Sequence, residues 1–473
     1  MRLKKIIFAL TAIVGALTAT AHETAPKDTA PQYVFYFIGD GMGMGPVMGA
    51  QTYLRTVVDG DSTLTMMQFP VAGMCQTWSA SSPITDSAAA GTALSTGYKT
   101  RNNMLGMAPD TTVVNSMARY LADSGYAVGL VTTVAPDDAT PGAFYAHVPS
   151  RKETYRIGLD FIESGYSFLA GAGLRGVKDA KGEDTDLLIR FREAGIPIYY
   201  GPTGAKDMAP GRAVLLNPQD THEWNVGYTI DSLENVLTLP LMTEICLERL
   251  EAESPERFFM MVEGGNIDHA LHANDGGAAI KEILNFDSSL RIAYNFYLKH
   301  PGQTLIVVTA DHDTGGMALG TEANRKALNL GVYDHQRISK EEFSDYCKSI
   351  LHSRRVYTWE DMKDFLAERL GLYGPIPVSE VADKRLKRMF EDTFELRNTS
   401  DQETLYANFN AFAVEVFKLL NTAAGVGFTT TSHSGNPVPV FAVGVGAERF
   451  KGMNNNNAVA RTIMQICGIE EKE

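Results

Sequence analysis

From Tyr33 onward, short apolar runs alternate with longer segments of helical period. The runs "YVFYFI" (33–38), "AVGLVTT" (127–133), "SFLAG" (167–171), "PIYYG" (197–201), "RFFMMV" (257–262), "QTLIVVTA" (303–310) and "PVPVFAVGVG" (437–446) read as strands. Most are apolar almost throughout, as expected of strands covered on both faces. Residues 113–124, 151–164, 239–253, 275–299 and 455–467 carry helical patterns. Strands separated by helices predict an α/β fold, a largely parallel central sheet with helices on both faces. The rhythm breaks over 320–425, where charged segments such as "SKEEFSDYCKSILH" and "WEDMKDFLAERL" contain no strong strand. This region reads as a helical insertion, a cap or crown, within one domain spanning 22–473. "NNNN" at 454–457 reads as a polar turn.

Composition places the chain among globular proteins, with 44% hydrophobic and 21% charged residues. The first 21 residues, "MRLKKIIFALTAIVGALTATA", join basic residues to an apolar run and an A-x-A site. They read as a signal peptide, which predicts a periplasmic or secreted protein. No later stretch reads as a membrane span. The formal net charge is −14, and loss of Arg2, Lys4 and Lys5 with the leader takes it to about −17. Such acidity argues against nucleic acid or an anionic membrane as partner. Cys75, Cys246, Cys347 and Cys467 lack C-x-x-C spacing, so they are poor metal-ligand candidates; disulfides and buried thiols both remain open.

The chemistry-bearing residues cluster at strand ends. Asp40 follows the first strand, Asp138 and Thr140 the second, Glu263 ends "FFMMVEGG", and Asp311-His312 end "TLIVVTADH". Ligands of open α/β sheets bind at the C-terminal strand edge. One acid there is an ordinary turn or cap residue; several together repel unless cations sit between them. Asp268 and His272 are four apart, on one face of a helical turn, and His269 points elsewhere. With His433 they make a plausible zinc set. Asp40, Asp311 and His312 offer a second set of N/O donors, while Thr140, Glu263 and the other Asp40 oxygen suit Mg²⁺. Ser87, in "SSPITDSAAAGTALSTG", starts a helix. A cap and a nucleophile favoured by helix-end electrostatics both fit that position.

"FIGDGMG", "TDSAAAGTALSTGYKT", "DATPGAFYAHVPSR", "VEGGNIDHALHAND", "TADHDTGGM" and "HSG" occur in that order. Together they resemble the alkaline phosphatase family over most of 33–320 and 425–467. The resemblance implies hydrolysis of phosphate monoesters with two Zn²⁺ and one Mg²⁺ per chain. Ser87 would be the nucleophile, forming a phosphoserine, and Arg151 would grip the phosphate oxygens. Asp268, His272 and His433 would hold one zinc; Asp40, Asp311 and His312 the other; Asp40, Thr140 and Glu263 the magnesium. Asp138 resembles the bacterial pattern, supporting Mg²⁺ through water, and His269 the animal one. A homodimer is implied by the resemblance alone. A sulfatase of the same superfamily would need Arg where "SSPIT" has Thr85, and its phosphodiesterases typically use Thr as nucleophile. A secreted metal- or phosphate-binding protein without turnover would need neither Ser87 nor Arg151.

Overall fold

The run 33–38 becomes the middle of the sheet because it is apolar on both sides. In the computed structural model, which describes residues 30–219, 224–323, 327–353, 356–398 and 400–469, the strand β1 (Tyr33–Gly39) is buried along its whole length. The leader 1–21 lies outside the described residues. Alternate side chains of β1 serve opposite layers. Phe35 and Phe37 pack edge-on against Phe296 and Phe286 of the helix Gly276–Lys299. Tyr36 turns the other way, onto Phe144.

Nine further strands complete the sheet: β2 (Val71–Gln76), β3 (Ala127–Thr132), β4 (Phe168–Gly171), β5 (Ile198–Tyr200), β6 (Ala213–Leu216), β7 (Phe258–Gly264), β8 (Thr304–Thr309), β9 (Val438–Gly444) and β10 (Gly452–Asn455). Their order is β10-β2-β9-β8-β1-β7-β3-β4-β6-β5. All pairings are parallel except those of β9, which runs against both β8 and β2. The expected α/β architecture with a largely parallel sheet is therefore present. Helices Leu239–Glu253 and Gly276–Lys299 match their sequence patterns closely.

The differences have local causes. β2, β6 and β10 are not expected from the apolar pattern: β6 is a run of only four apolar residues, β10 is the polar edge strand, and β2, next to it, is only partly buried. The asparagines expected to form a turn instead end β10 and start the helix Asn456–Ile466. The Asn454 amide donates to the Phe450 carbonyl at 3.0 Å. The helix expected from 113 begins at Met117, where the Ser116 side chain caps it by accepting from Arg119 N–H. The helix expected from 151 begins at Thr154, leaving Arg151 on a loop where its N–H bonds the Asn103 carbonyl at 2.7 Å.

The 320–425 region is mainly helical, with Lys340–His352, Trp359–Leu370, Glu380–Phe390 and Ala411–Ala424. Phe343, Trp359, Phe390 and Phe412 form its buried aromatic centre. It also contains a hairpin, Asp401–Glu403 with Asn408–Asn410, that the sequence pattern does not announce. All four cysteines are free thiols. Among the described residues no helix is long and apolar enough to cross a membrane.

Because Phe37 lies in the central strand with no exposed surface, Phe37→Ala is expected to cost about 3–5 kcal/mol of stability. Chemical denaturation of parent and variant, both metal-free, measures it.

Candidate active site

Parallel register brings separate segments of chain to one edge. Ile38 lies opposite both Glu263 and Thr309, and Glu263 lies opposite Thr132. Asp40 and Asp311 leave β1 and β8 just beyond that row. The turn after Asp40 needs glycine: Gly41 has φ +68°, and a Cβ there would lie 2.7 Å from Asp268 Oδ1. This geometry lets Gly41 N–H donate to Asp311 Oδ1 at 3.0 Å, alongside His312 N–H at 2.9 Å.

Two groups of donors form. In one, His272 Nε2 lies 3.3 Å from Asp268 Oδ2 and 3.1 Å from His433 Nε2. In the other, His312 Nε2 lies 3.1 Å from Asp311 Oδ2 and 3.5 Å from Asp40 Oδ1. Asp268 borders both, because its carboxylate also clusters with Asp40 and His312. The imidazoles are oriented from behind. His272 Nδ1 donates to Thr431 O at 2.6 Å and His433 Nδ1 to Thr85 O at 2.8 Å. Thr314 gives its hydroxyl hydrogen to Asp268, so its oxygen accepts from His312 Nδ1 at 3.2 Å. Each Nε2 lone pair is thereby directed into the site.

The residues fit metal ions. Asp40 Oδ1, Thr140 Oγ1, Glu263 Oε1, Asp268 Oδ2 and Asp311 Oδ2 are buried without a hydrogen-bond partner. Buried polar atoms are rarely left so, and their cost calls for a cation. Burial, reinforced by Asp311, Asp268 and Glu263, drives Asp40 well above the usual carboxylate range. Burial likewise pushes Glu263 up to about 8 even though Thr132 donates to it. Burial also works against Asp268, but the His272, His433 and His312 imidazoles outweigh it and hold Asp268 well below its ordinary value.

Ser87 is the first residue of the helix Ser87–Thr96, and Asp86 caps it by accepting from Ala89 N–H at 3.0 Å. Ser87 Oγ lies 3.1 Å from His312 Nε2, which places it at the second donor group. Arg151 reaches Asp138 Oδ1 at 2.9 Å and Asp86 Oδ2 at 3.9 Å. Burial opposes the charge on Asp138, but Arg151 and Arg175 hold its pKa at about 2. All the sequence-selected residues are thus gathered at one edge. Among the four histidines selected from the sequence, His269 is the one outside both donor groups: its ring packs on Tyr406, with centroids 3.9 Å apart.

Several contributors escape the sequence reading. Tyr406, at the tip of the insertion hairpin, also meets His272 edge-on at 5.2 Å. Arg175 lies 3.4 Å from Asp138 Oδ1. Thr132 donates to Glu263 at 2.5 Å. Thr314 lies within "TADHDTGGM" and Thr132 within the strand run "AVGLVTT", so both are open to recognition there, whereas Tyr406 and Arg175 carry no local signal.

A family model described as alkaline phosphatase matches residues 32–160 and 222–469. The chain belongs to the alkaline phosphatase family. Alkaline phosphatase 4 of Bacillus subtilis is 28% identical over 443 residues, 92% of this chain and 88% of that protein. The alkaline phosphatase structure from Thermus thermophilus is 25% identical, with a TM-score of 0.76, over 94% of this chain and 92% of that one. A variant of the TAB5 alkaline phosphatase with Mg bound in its M3 site is 25% identical, with a TM-score of 0.64, over 93% of this chain and 99% of that one. As a family member the chain is a phosphomonoester hydrolase.

The unpartnered oxygens make a direct prediction. Adding Zn²⁺ to metal-free protein is expected to stabilise it by about 2.7 kcal/mol at a hundredfold excess over Kd. Asp268→Ala, which removes the carboxylate common to both groups, should abolish most of that gain in thermal unfolding.

Proposed function

We propose that this alkaline phosphatase works through a phosphoserine at Ser87. Asp268, His272 and His433 hold one Zn²⁺, Asp40, Asp311 and His312 the second, and Asp40, Thr140 and Glu263 one Mg²⁺. The observation that carries the reading is Ser87 Oγ at a helix N-terminus, 3.1 Å from His312 Nε2. The all-oxygen group containing Glu263 and Thr140 suits Mg²⁺, and the Mg of the TAB5 variant lends support.

Bound there, the ions would supply Lewis acidity and six positive charges against the carboxylates of Asp40, Glu263, Asp268 and Asp311, leaving about two for a phosphate monoester dianion. Ser87 Oγ attacks phosphorus in line with the departing alcohol oxygen. The N–H groups of the first helical turn favour both the serine alkoxide and the phosphoryl group it acquires. Arg151, fixed by Asp138 and Asp86, binds the non-bridging oxygens with its fork of donors. Water then cleaves the Ser87–phosphate ester and releases phosphate. Asp138 and His269 stand beside these groups as supporting residues. On the same reading, residues 22–473 form the catalytic unit, exported behind the 1–21 leader to the periplasm or the medium.

Turnover of p-nitrophenyl phosphate should vanish on chelation and return with Zn²⁺ and Mg²⁺. Under the restored condition Ser87→Ala should lose at least about 10³-fold in kcat. Acid quench with labelled substrate should leave phosphate on Ser87. A fully metallated Ser87→Ala that retained parental turnover would sink the mechanism.

A further inference from the structure

We propose that Arg175 is a positioning residue for phosphate binding, sharing the Asp138 carboxylate with Arg151 and so keeping Arg151 available to the substrate's oxygens. The inference rests on the reading in which Arg151 binds phosphate. Arg175 lies in the 161–221 segment that the family model leaves unmatched. It nevertheless reaches the site: its Nη1 is 3.4 Å from Asp138 Oδ1, the same oxygen that Arg151 Nη2 approaches at 2.9 Å. Among the described residues these two guanidiniums are the ion-pair partners of Asp138.

The placement is built from both sides. Asp137, fully buried next to Asp138, accepts Arg175 N–H at 3.0 Å and Gly176 N–H at 2.7 Å. These bonds fix the Arg175 backbone whatever its side chain. Above the side chain, the Trp224 ring lies 3.8 Å from the guanidinium carbon, a cation–π contact that holds the fork over Asp138.

Charge explains what this achieves. Asp86, Asp138, Arg151 and Arg175 together are neutral. Without Arg175 the same group carries one negative charge beside a site that must bind a dianion. Among the described residues Asp138 would then have Arg151 as its one ion-pair partner, beside the Ala139 N–H that it accepts at 2.7 Å, and the tighter pair would compete with phosphate for the Arg151 donors. Both effects weaken phosphate binding. Neither touches the attacking oxygen of Ser87, so the chemical step need not slow.

The test uses the fully metallated enzyme, with inorganic phosphate binding read by isothermal titration calorimetry and turnover read separately. Arg175→Ala is expected to raise the phosphate Kd and the KM for p-nitrophenyl phosphate by about 3–10-fold, without lowering kcat. Arg175→Lys should recover much of the binding and Arg175→Glu should lose more than Ala, with thermal stability close to the parent's in all three. Unchanged phosphate Kd in Arg175→Ala, while Arg151→Ala weakens it, would overturn the inference and leave the mechanism standing. Equal losses in Ala and Lys with a lowered kcat and Tm would also overturn it, showing a structural role. A parent that binds phosphate in an Arg175-dependent way yet turns nothing over would support this inference and overturn the proposed function.

Discussion

Everything at the C-terminal edge of the sheet is organised around carboxylates buried close together. Asp40, Glu263, Asp268 and Asp311 each carry an oxygen with no hydrogen-bond partner, and none is exposed by more than a few per cent. Burial with like charges nearby is costly for a bare protein. The surroundings limit that cost where they can: Gly41 and His312 give N–H groups to Asp311, Thr314 a hydroxyl to Asp268, Thr132 another to Glu263. In Asp311, Asp268 and Glu263 one oxygen is served by the protein and the other is reserved. That division explains why the backbone turns sharply at Gly41 and why the imidazoles are anchored through Nδ1.

The second level of organisation concerns cations made of protein. Arg151 and Arg175 converge on Asp138, and Asp86 stands further off. Asp86 has two tasks, since its Oδ1 caps the helix that begins at Ser87 while its Oδ2 accepts Asn103 N–H at 2.8 Å. Asn103 in turn accepts Arg151 N–H through its carbonyl. Helix start, loop and guanidinium are therefore tied into one unit, and a shift in any of them moves the others.

Much of this was legible in the sequence because it depends on local spacing. Strands buried on both faces write themselves as apolar runs, and a following acid marks the strand end. The i, i+4 relation of Asp268 and His272 fixes a shared face in any helix. What the sequence withheld depends on tertiary contact. The reversal of β9 leaves no trace in an apolar run, and β10 is held by edge pairing rather than by burial. Arg175 comes to Asp138 through a backbone anchored on Asp137. Tyr406 reaches His269 from a hairpin tip in a segment that otherwise reads as charged helices.

The span of the site along the chain bears on how the protein is assembled. His433 stands before the reversed strand β9, and its Nε2 meets His272 Nε2 across 161 positions, while Ser87 and His312 are 225 apart. Contacts of such sequence separation form late, after the loops between them have been closed. No short segment of this chain can collect the donors as a zinc finger does. Metal capture consequently belongs to the end of folding, and ions lock a finished scaffold instead of nucleating it.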